Sequence, residues 1–136
     1  MTQATPQLRY GAKALVSTTD RVLIVKERHT NGDQFWTLPG GGRDPGESLT
    51  ETVHRELNEE LRCRATVREP VGSFWYAHSQ SNQQFSRYTV FDCRLRSSVL
   101  PNVVEGVYES RWVRPDQVPV PTLPQVRQLI QSSRQA

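Results

Sequence analysis

The sequence predicts an α/β fold in which a mixed β-sheet is covered on both faces by helices. Two observations support this fold class. Extended, apolar segments occur on both sides of one strongly amphipathic helix, and a second helical pattern closes the chain. With 136 residues, the chain is long enough for one buried core. We therefore expect a single domain over residues 1–136, of which residues 1–7 are flexible.

The first part of the chain is predicted to alternate strands with short turns. Its apolar runs are bounded by residues that favour turns, which is typical of strands in a sheet. The predicted strands are residues 8–16, 22–28 and 36–38, and residues 31–33 mark a loop. Gly40–Gly42 then exclude a helix or a central strand, because glycine has no side chain to pack and is costly to order. We expect these glycines to let the backbone approach another group closely.

The clearest helix of the sequence begins after Ser48. Ser48 can cap it, and Glu51, three residues later, completes a capping-box pattern. The residues of its apolar face recur every four positions and are Leu49, Val53, Leu57 and Leu61. This spacing predicts an amphipathic helix packed on the sheet.

Three carboxylates share one side of this helix. At about 100° per residue, Glu56, Glu59 and Glu60 fall within about 100° of arc, beside the apolar stripe. Two carboxylates about 6 Å apart repel by roughly 3 kcal/mol at an effective dielectric constant of about 20. A divalent cation would turn this repulsion into attraction, and carboxylate oxygens suit Mg²⁺ or Mn²⁺. The alternative is a solvated acidic face whose partners are Arg55 and Arg62.

The rest of the chain is predicted to continue with strands and to end in a helix. An extended segment starts at residues 65–67, is broken by Pro70 and resumes over residues 71–77. Further along come a loop at 79–84, a strand at 85–96, a loop at 97–107 and a short strand at 111–113. Thr122 can cap the C-terminal helix. Its core-facing residues are predicted to be Val126, Leu129 and Ile130.

The stretch from Gly41 to Cys63 resembles the Nudix box, the signature of the Nudix hydrolase family. That signature is glycine, five residues, glutamate, seven residues, Arg-Glu, an aliphatic residue, any residue, Glu-Glu, any residue, glycine and an aliphatic residue. The residues that match it in register are Gly41, Glu47, Arg55, Glu56, Leu57, Glu59 and Glu60. The pattern departs at its end, where Arg62 replaces the glycine and Cys63 replaces the aliphatic residue.

The resemblance implies an α/β/α sandwich, the Nudix fold, and a metal-dependent hydrolase with Mg²⁺ or Mn²⁺ as cofactor. It also implies roles for the residues of the box. The implied metal ligands are Glu56, Glu59 and Glu60, with a backbone carbonyl of Gly40 or Gly41. Glu59 is the first choice as a direct ligand, whereas Glu56 can instead orient or deprotonate the attacking water. Arg55 is expected to orient these carboxylates, and Glu47 is the partner that the family provides for it.

Further site residues are predicted outside the box. Glu105 is a candidate catalytic base or ligand, with Glu109 as the competing choice. Arg28, at the end of a strand, is a candidate phosphate contact. The aromatic side chains that can stack on a base are Trp75, Tyr76, Phe85 and Tyr88, of which Tyr76 and Tyr88 are assigned to the substrate site.

The expected reaction is hydrolysis of a nucleoside diphosphate linked to another group. A MutT-like nucleoside triphosphate pyrophosphohydrolase is the main prediction. The alternatives are a nucleotide-sugar or nucleotide-alcohol pyrophosphatase, and a module that binds a nucleotide without turnover. The three remain open because the residues that mark narrower substrate classes in the family are missing, with Ser79 and Thr122 at two of those positions.

Composition bounds the partners of the chain. The net charge is +3, and 15 of the 17 basic residues are Arg, but they form no dense stripe, so nucleic acid is not expected as the main partner. The longest aliphatic run, Val22 to Val25, is far too short to cross a bilayer. We expect a cytoplasmic protein with a small nucleotide as its substrate, as a monomer or a homodimer.

Overall fold

The computed structural model describes residues 7–28, 34–79 and 84–133. The loop predicted at 31–33, residues 1–6 of the terminal segment and residues 80–83 of the loop at 79–84 lie outside these ranges. Within them, the chain forms seven strands and two α-helices. In order these are β1 (Gln7–Val16), β2 (Val22–Arg28), β3 (Gln34–Thr37), β4 (Gly40–Gly42), α1 (Leu49–Leu61), β5 (Ala65–Ser79), β6 (Gln84–Leu95), β7 (Val107–Val113) and α2 (Pro124–Ser133).

The strands form two sheets. A four-stranded mixed sheet has the order β4-β1-β6-β5, in which β1 and β6 are parallel and the other pairs are antiparallel. A three-stranded antiparallel sheet has the order β3-β2-β7. The predicted mixed sheet is therefore confirmed, with the addition that three strands separate into a sheet of their own. No helix among the described residues is long and apolar enough to cross a membrane.

Two clusters of buried side chains hold these layers together. The first lies between α1 and the four-stranded sheet and includes Val53, Leu57 and Leu61 of the helix, which are at most 1% exposed. The second includes Val126 and Ile130 of α2, both fully buried. Since each helix covers sheet residues from its own side, the molecule is the α/β/α sandwich that the resemblance implies.

Both ends of α1 follow from its sequence. The hydroxyl of Ser48 accepts the N–H of Glu51 at 3.1 Å, and the carboxylate of Glu51 accepts the N–H of Ser48 at 3.0 Å, so the predicted capping box is present. The helix ends at Arg62, which has φ 49° and ψ 38° and is the one non-glycine residue with positive φ in the described ranges. The chain therefore turns here as it would with the glycine of the family pattern.

The structure corrects several predicted boundaries. Gln7, expected in the flexible terminal segment, pairs with Gln84 at the start of β1. β5 is continuous through Pro70, because two shifts of register around that proline absorb it as an irregularity rather than ending the strand. β7 begins at Val107, four residues before the predicted strand.

The start of α2 also differs from the prediction. The hydroxyl of Thr122 donates to the carbonyl of Pro119 at 2.6 Å instead of capping the helix. The carbonyl of Leu123 accepts the N–H of Arg127, so Leu123 is the residue at which the helical hydrogen bonds begin. Leu129, expected in the core, is only partly buried and packs on the margin of the second cluster.

Candidate active site

The glycine strand β4 brings its backbone against the acidic side of α1. A Cβ atom built on Gly41 would lie 2.7 Å from Oε1 of Glu56, so a side chain at this position would collide with that carboxylate. Gly40 has φ 141°, a conformation that L-residues with side chains rarely adopt. The glycines are thus required by close approach at Gly41 and by backbone conformation at Gly40, and β4 is an edge strand rather than a central one.

Arg55 connects the carboxylates of this face. Its Nε donates to Oε2 of Glu47 at 2.7 Å, and its Nη1 donates to Glu56 at 2.9 Å and to Glu59 at 3.1 Å. Its Nη2 donates to the carbonyl of Gly42 at 2.8 Å, which ties the helix to β4. The guanidinium therefore fixes the orientation of the carboxylates and the position of the glycine strand together.

Glu47 is held as a carboxylate by its hydrogen bonds. Those from Arg55 come first, and the backbone N–H of Asp44 and the hydroxyl of Thr52 add to them. Together they lower the pKa of Glu47 to about 2. The Arg55–Glu47 pair that the resemblance implies is present in the structure.

Glu56 and Glu59 differ in their surroundings. The side chain of Glu56 is 14% exposed and that of Glu59 is 38% exposed. Burial raises the pKa of Glu56, and the charge of Arg55 offsets part of this rise. Arg55 donates to Oε1 of Glu56 and to Oε2 of Glu59, so the second oxygen of each carboxylate is not used by these two hydrogen bonds.

Glu60 lies deeper than the sequence suggests. The residue is only 6% exposed, and its Oε1 accepts the N–H of Gly40 at 2.8 Å. Burial and then the charge of Glu27 raise its pKa well above the usual value, against the opposing effect of Lys13. In this structure Glu60 braces the glycine strand, and its role as a metal ligand stays a prediction.

Lys13 and Glu27 belong to the site although they were not predicted there. Lys13 is 5% exposed, and its Nζ donates to the carbonyl of Gly40 at 3.4 Å and lies 3.9 Å from Oε1 of Glu27. Burial alone lowers the pKa of Lys13, but the nearby carboxylates, Glu27 first, outweigh it and the pKa rises. Lys13 is therefore a buried ammonium. Two features of the sequence could have indicated them. Lys13 lies within the apolar run of β1, and Glu27 continues the alternation of the inward-facing Leu23 and Val25.

A cavity of about 240 Å³ between the two sheets is bordered by Lys13, Glu27, Glu56 and Glu60. Its polar lining comes from β1, β2, β3, β4 and α1, and its aromatic lining comes from β3, β5 and β6. The lining includes Lys13, Glu27, Thr37, Glu56, Glu60, Phe35, Phe74, Tyr76 and Tyr88. Tyr76 and Tyr88, assigned to the substrate site from the sequence, both lie here. Among the described residues, Oε1 of Glu27 and Oγ1 of Thr37 are buried without a hydrogen-bond partner.

The remaining predicted residues lie outside this cavity. Glu105 is exposed at the end of a short 3-10 turn, Val103–Glu105. Asn102 joins that turn to the end of α1, because its amide donates to the carbonyl of Glu59 at 2.9 Å. Glu109, the competing choice, forms an ion pair with Arg111 at 3.1 Å.

Arg28 and the two other aromatic candidates are also outside the lining of the cavity. Arg28 is exposed, and a hydrogen bond to Tyr108 raises its pKa. Trp75 and Phe85 are 49% and 40% exposed. Trp75 instead stacks beneath the guanidinium of Arg87, 4.9 Å from the ring centroid.

The donor set fits a hard divalent cation that also binds substrate oxygens. Within the described ranges, no three Asp, Glu, His or Cys side chains are arranged to hold one metal ion by themselves. Mg²⁺ is commonly held by one or two carboxylates together with water and substrate phosphates. The residues present, Glu56 and Glu59 beside the backbone of β4, match that pattern better than an all-protein cage.

Comparison with known proteins identifies the family. The family model described as "NUDIX domain" matches residues 7–132. The nucleoside triphosphatase NudI of Enterobacter sp. (strain 638) is 35% identical over 66 residues, which are 43% of this chain and 47% of that protein. NudI of Escherichia coli O1:K1 / APEC is 28% identical over 89 residues, which are 60% of this chain and 62% of that protein. The chain thus spans about half to three fifths of the length of these relatives.

A solved structure shows the same fold. The MutT NUDIX hydrolase from Burkholderia pseudomallei superposes with a TM-score of 0.82 at 21% sequence identity, over 92% of this chain and 97% of that chain. Its likeness supports the α/β/α architecture, and the family model covers nearly the whole length of the chain. The chain belongs to the NUDIX domain family.

Proposed function

We propose that this protein is a metal-dependent hydrolase that converts a nucleoside triphosphate and water into a nucleoside monophosphate and pyrophosphate. The observation that carries the proposal is the set of carboxylates on α1, which Arg55 orients against the backbone of β4. A structural helix gains nothing from clustering like charges on its partly buried side. The names of the NudI relatives, nucleoside triphosphatases, support the choice of substrate.

Glu56 and Glu59 are the residues that would hold Mg²⁺ or Mn²⁺, with a carbonyl of Gly40 or Gly41 as a further ligand. When bound, the cation supplies charge neutralisation for the phosphates and lowers the pKa of a coordinated water. Glu56 lies deeper than Glu59 and has a raised pKa, which suits a group that accepts a proton from the attacking water. Arg55 keeps both carboxylates in one orientation, so that little reorganisation is needed when the substrate binds.

A panel of nucleotides tests the proposal directly. The purified chain is incubated with nucleoside triphosphates, nucleotide sugars and nucleotide alcohols, with Mg²⁺ or with EDTA, and the products are separated by ion-exchange chromatography. We expect pyrophosphate and monophosphate from triphosphates, in the presence of Mg²⁺ and not in EDTA. Turnover restricted to nucleotide sugars or alcohols would assign the chain to that class instead. Binding without turnover of any compound would make it a nucleotide-binding module.

A further inference from the structure

Among the described residues, two buried polar atoms that line the cavity between the two sheets have no hydrogen-bond partner in the protein. Oγ1 of Thr37 belongs to a residue that is 1% exposed, and Oε1 of Glu27 is likewise buried. Both residues line the cavity. Buried polar groups in folded proteins are nearly always hydrogen-bonded, because an unpaired one destabilises the fold. These two atoms are therefore available for hydrogen bonds with a ligand that has polar groups of its own.

The charge of the cavity decides which end of a nucleotide fits. Glu27, Glu56 and Glu60 line it together, and the ammonium of Lys13 is the cation beside them. Away from the cation that Glu56 would hold, a phosphate group beside Glu27 would be repelled by its carboxylate. A carboxylate oxygen accepts hydrogen bonds, so the favoured occupant of this end carries N–H or O–H donors.

The size and the walls of the cavity suit a planar ring. A volume of about 240 Å³ lies below the range of about 300–1,000 Å³ that is usual for small-molecule pockets, so it suits a ring system better than a whole triphosphate. Two pairs of aromatic rings line the cavity. Phe35 and Tyr76 lie 6.3 Å apart between ring centroids, and Phe74 and Tyr88 lie 5.4 Å apart. Aromatic side chains provide stacking surfaces for bases.

The cavity also shares residues with the proposed reaction centre. Gly41 and Glu56 border it and belong to the acidic site on α1 as well. A base held between the sheets can therefore extend its sugar and phosphates toward the carboxylates that would hold the cation.

We propose that Glu27 and Lys13 determine base specificity, and that they select a base whose edge carries a ring N–H beside a carbonyl, as in guanine and uracil. Oε1 of Glu27 accepts the ring N–H, and the ammonium of Lys13, 3.9 Å from that oxygen, donates to the neighbouring carbonyl. Adenine and cytosine carry an amino group in place of this carbonyl. In the same position, adenine and cytosine would place an unprotonated ring nitrogen, which is an acceptor, against the carboxylate of Glu27. Their amino group, which is a donor, would face the ammonium of Lys13, so both hydrogen bonds would be lost.

The test is the binding of monophosphates in EDTA, which needs neither metal nor turnover. GMP, UMP, AMP and CMP are titrated into the wild-type chain by calorimetry. We expect GMP and UMP to bind at least about tenfold more tightly than AMP and CMP, since a hydrogen bond to a charged group is worth a factor of this size. Equal affinities, tighter binding of AMP or CMP, or no binding of any of the four would overturn the assignment.

Two changes locate the effect. On the ligand side, 1-methyl-GMP and 3-methyl-UMP lack the ring N–H and keep the carbonyl, so the wild-type chain should bind each at least about tenfold more weakly than its parent. On the protein side, Glu27→Gln should remove most of the preference for GMP and UMP. Glu69→Gln makes the same chemical change at an exposed position of β5 and should leave the preference intact. If Glu27→Gln does not fold, the methylated ligands still decide, because they need no variant.

This inference rests on the proposed function, but the two can fail separately. If triphosphates are hydrolysed with Mg²⁺ while the four monophosphates bind alike, only the role of Glu27 and Lys13 is wrong. If no nucleotide is hydrolysed while GMP and UMP bind selectively and their methylated forms do not, the base pocket stands and the hydrolase assignment fails.

Discussion

Glu59 is the carboxylate of α1 that a substitution can remove with least disturbance to the fold. Its side chain is 38% exposed and accepts one hydrogen bond from Arg55, so Glu59→Gln keeps shape and changes charge. We expect kcat to fall by about 10²-fold or more, since charge stabilisation by a metal amounts to several kcal/mol. Without metal, the melting temperature should stay nearly constant, because a lost ion pair of about 0.5 kcal/mol is offset by relieved repulsion.

The measurement is kcat at saturating Mg²⁺ alongside the melting temperature in EDTA. Glu69→Gln, at an exposed position on β5, is the matched control and should match wild type in both. A Glu59→Gln chain with near wild-type kcat would show that this residue takes no part in catalysis.

Arg62 occupies a left-handed conformation that an arginine adopts only at a cost. Its φ of 49° and ψ of 38° are favourable for glycine, and the strain for other residues is about 1 kcal/mol. The interaction of the Arg62 charge with the C-terminal end of α1 offsets about 0.3–1 kcal/mol of this strain. We therefore expect Arg62→Gly to raise the melting temperature slightly and to leave kcat/KM nearly unchanged.

Arg64 provides the comparison for this substitution. It is also exposed, but its φ is not positive, so Arg64→Gly should lower the melting temperature through the flexibility of glycine in the unfolded chain. A lower melting temperature for Arg62→Gly, or a tenfold loss of kcat/KM at unchanged stability, would mean that Arg62 is kept for a contact of its own.

The helix α1 is anchored to β4 through Glu47 and Arg55, and this anchor should depend on pH. The folded pKa of Glu47 is about 2, below its usual value of 4.5. A group with a depressed folded pKa adds stability above its unfolded pKa, and that contribution is lost as the pH falls from about 4.5 towards 2. Glu47→Gln lacks this contribution at every pH.

We therefore expect Glu47→Gln to melt below wild type at pH 7, with a difference that narrows between pH 5 and pH 3. Melting curves of both chains across this range make the comparison, and other titrating carboxylates cancel in the difference. Glu69→Gln, which has no such partner in α1, serves as the control and should show no pH-dependent difference. A gap between Glu47→Gln and wild type that is constant down to pH 3 would contradict the assignment of the low pKa to Glu47.

Across the whole molecule, features formed by residues close together in the sequence were predictable, and features formed by contacts between distant segments were not. The helix α1 and its capping box depend on residues within a few positions of each other, so periodicity and pattern suffice. The break predicted at Pro70 is wrong, because register shifts against β6 accommodate the proline within one strand. The sequence of a single strand carries no sign of such shifts.

The candidate site shows the same division. Glu56 and Glu59 lie three residues apart on one helix, so the arc between their carboxylates could be computed from the sequence. Lys13 and Glu27 join the site only because β1 and β2, in different sheets, face one cavity. A buried charged residue in an apolar strand indicates that it has an oppositely charged partner. Which residue is that partner depends on how the two sheets pack.

The carboxylates clustered on α1 lead to a prediction for the whole molecule. Glu56 and Glu59 are braced by one guanidinium, and burial already raises the pKa of Glu56. A cation that binds only the folded chain stabilises it by about 2.7 kcal/mol at about 100 times its dissociation constant. For a chain of this length we expect saturating Mg²⁺ to raise the melting temperature by roughly 10 °C over the value in EDTA.

Scanning calorimetry measures this rise, and NaCl at equal ionic strength controls for screening of charges. Glu59→Gln should lose most of the rise in melting temperature. An equal rise with NaCl, or the full rise in Glu59→Gln, would place the effect of Mg²⁺ elsewhere than on the acidic face of α1.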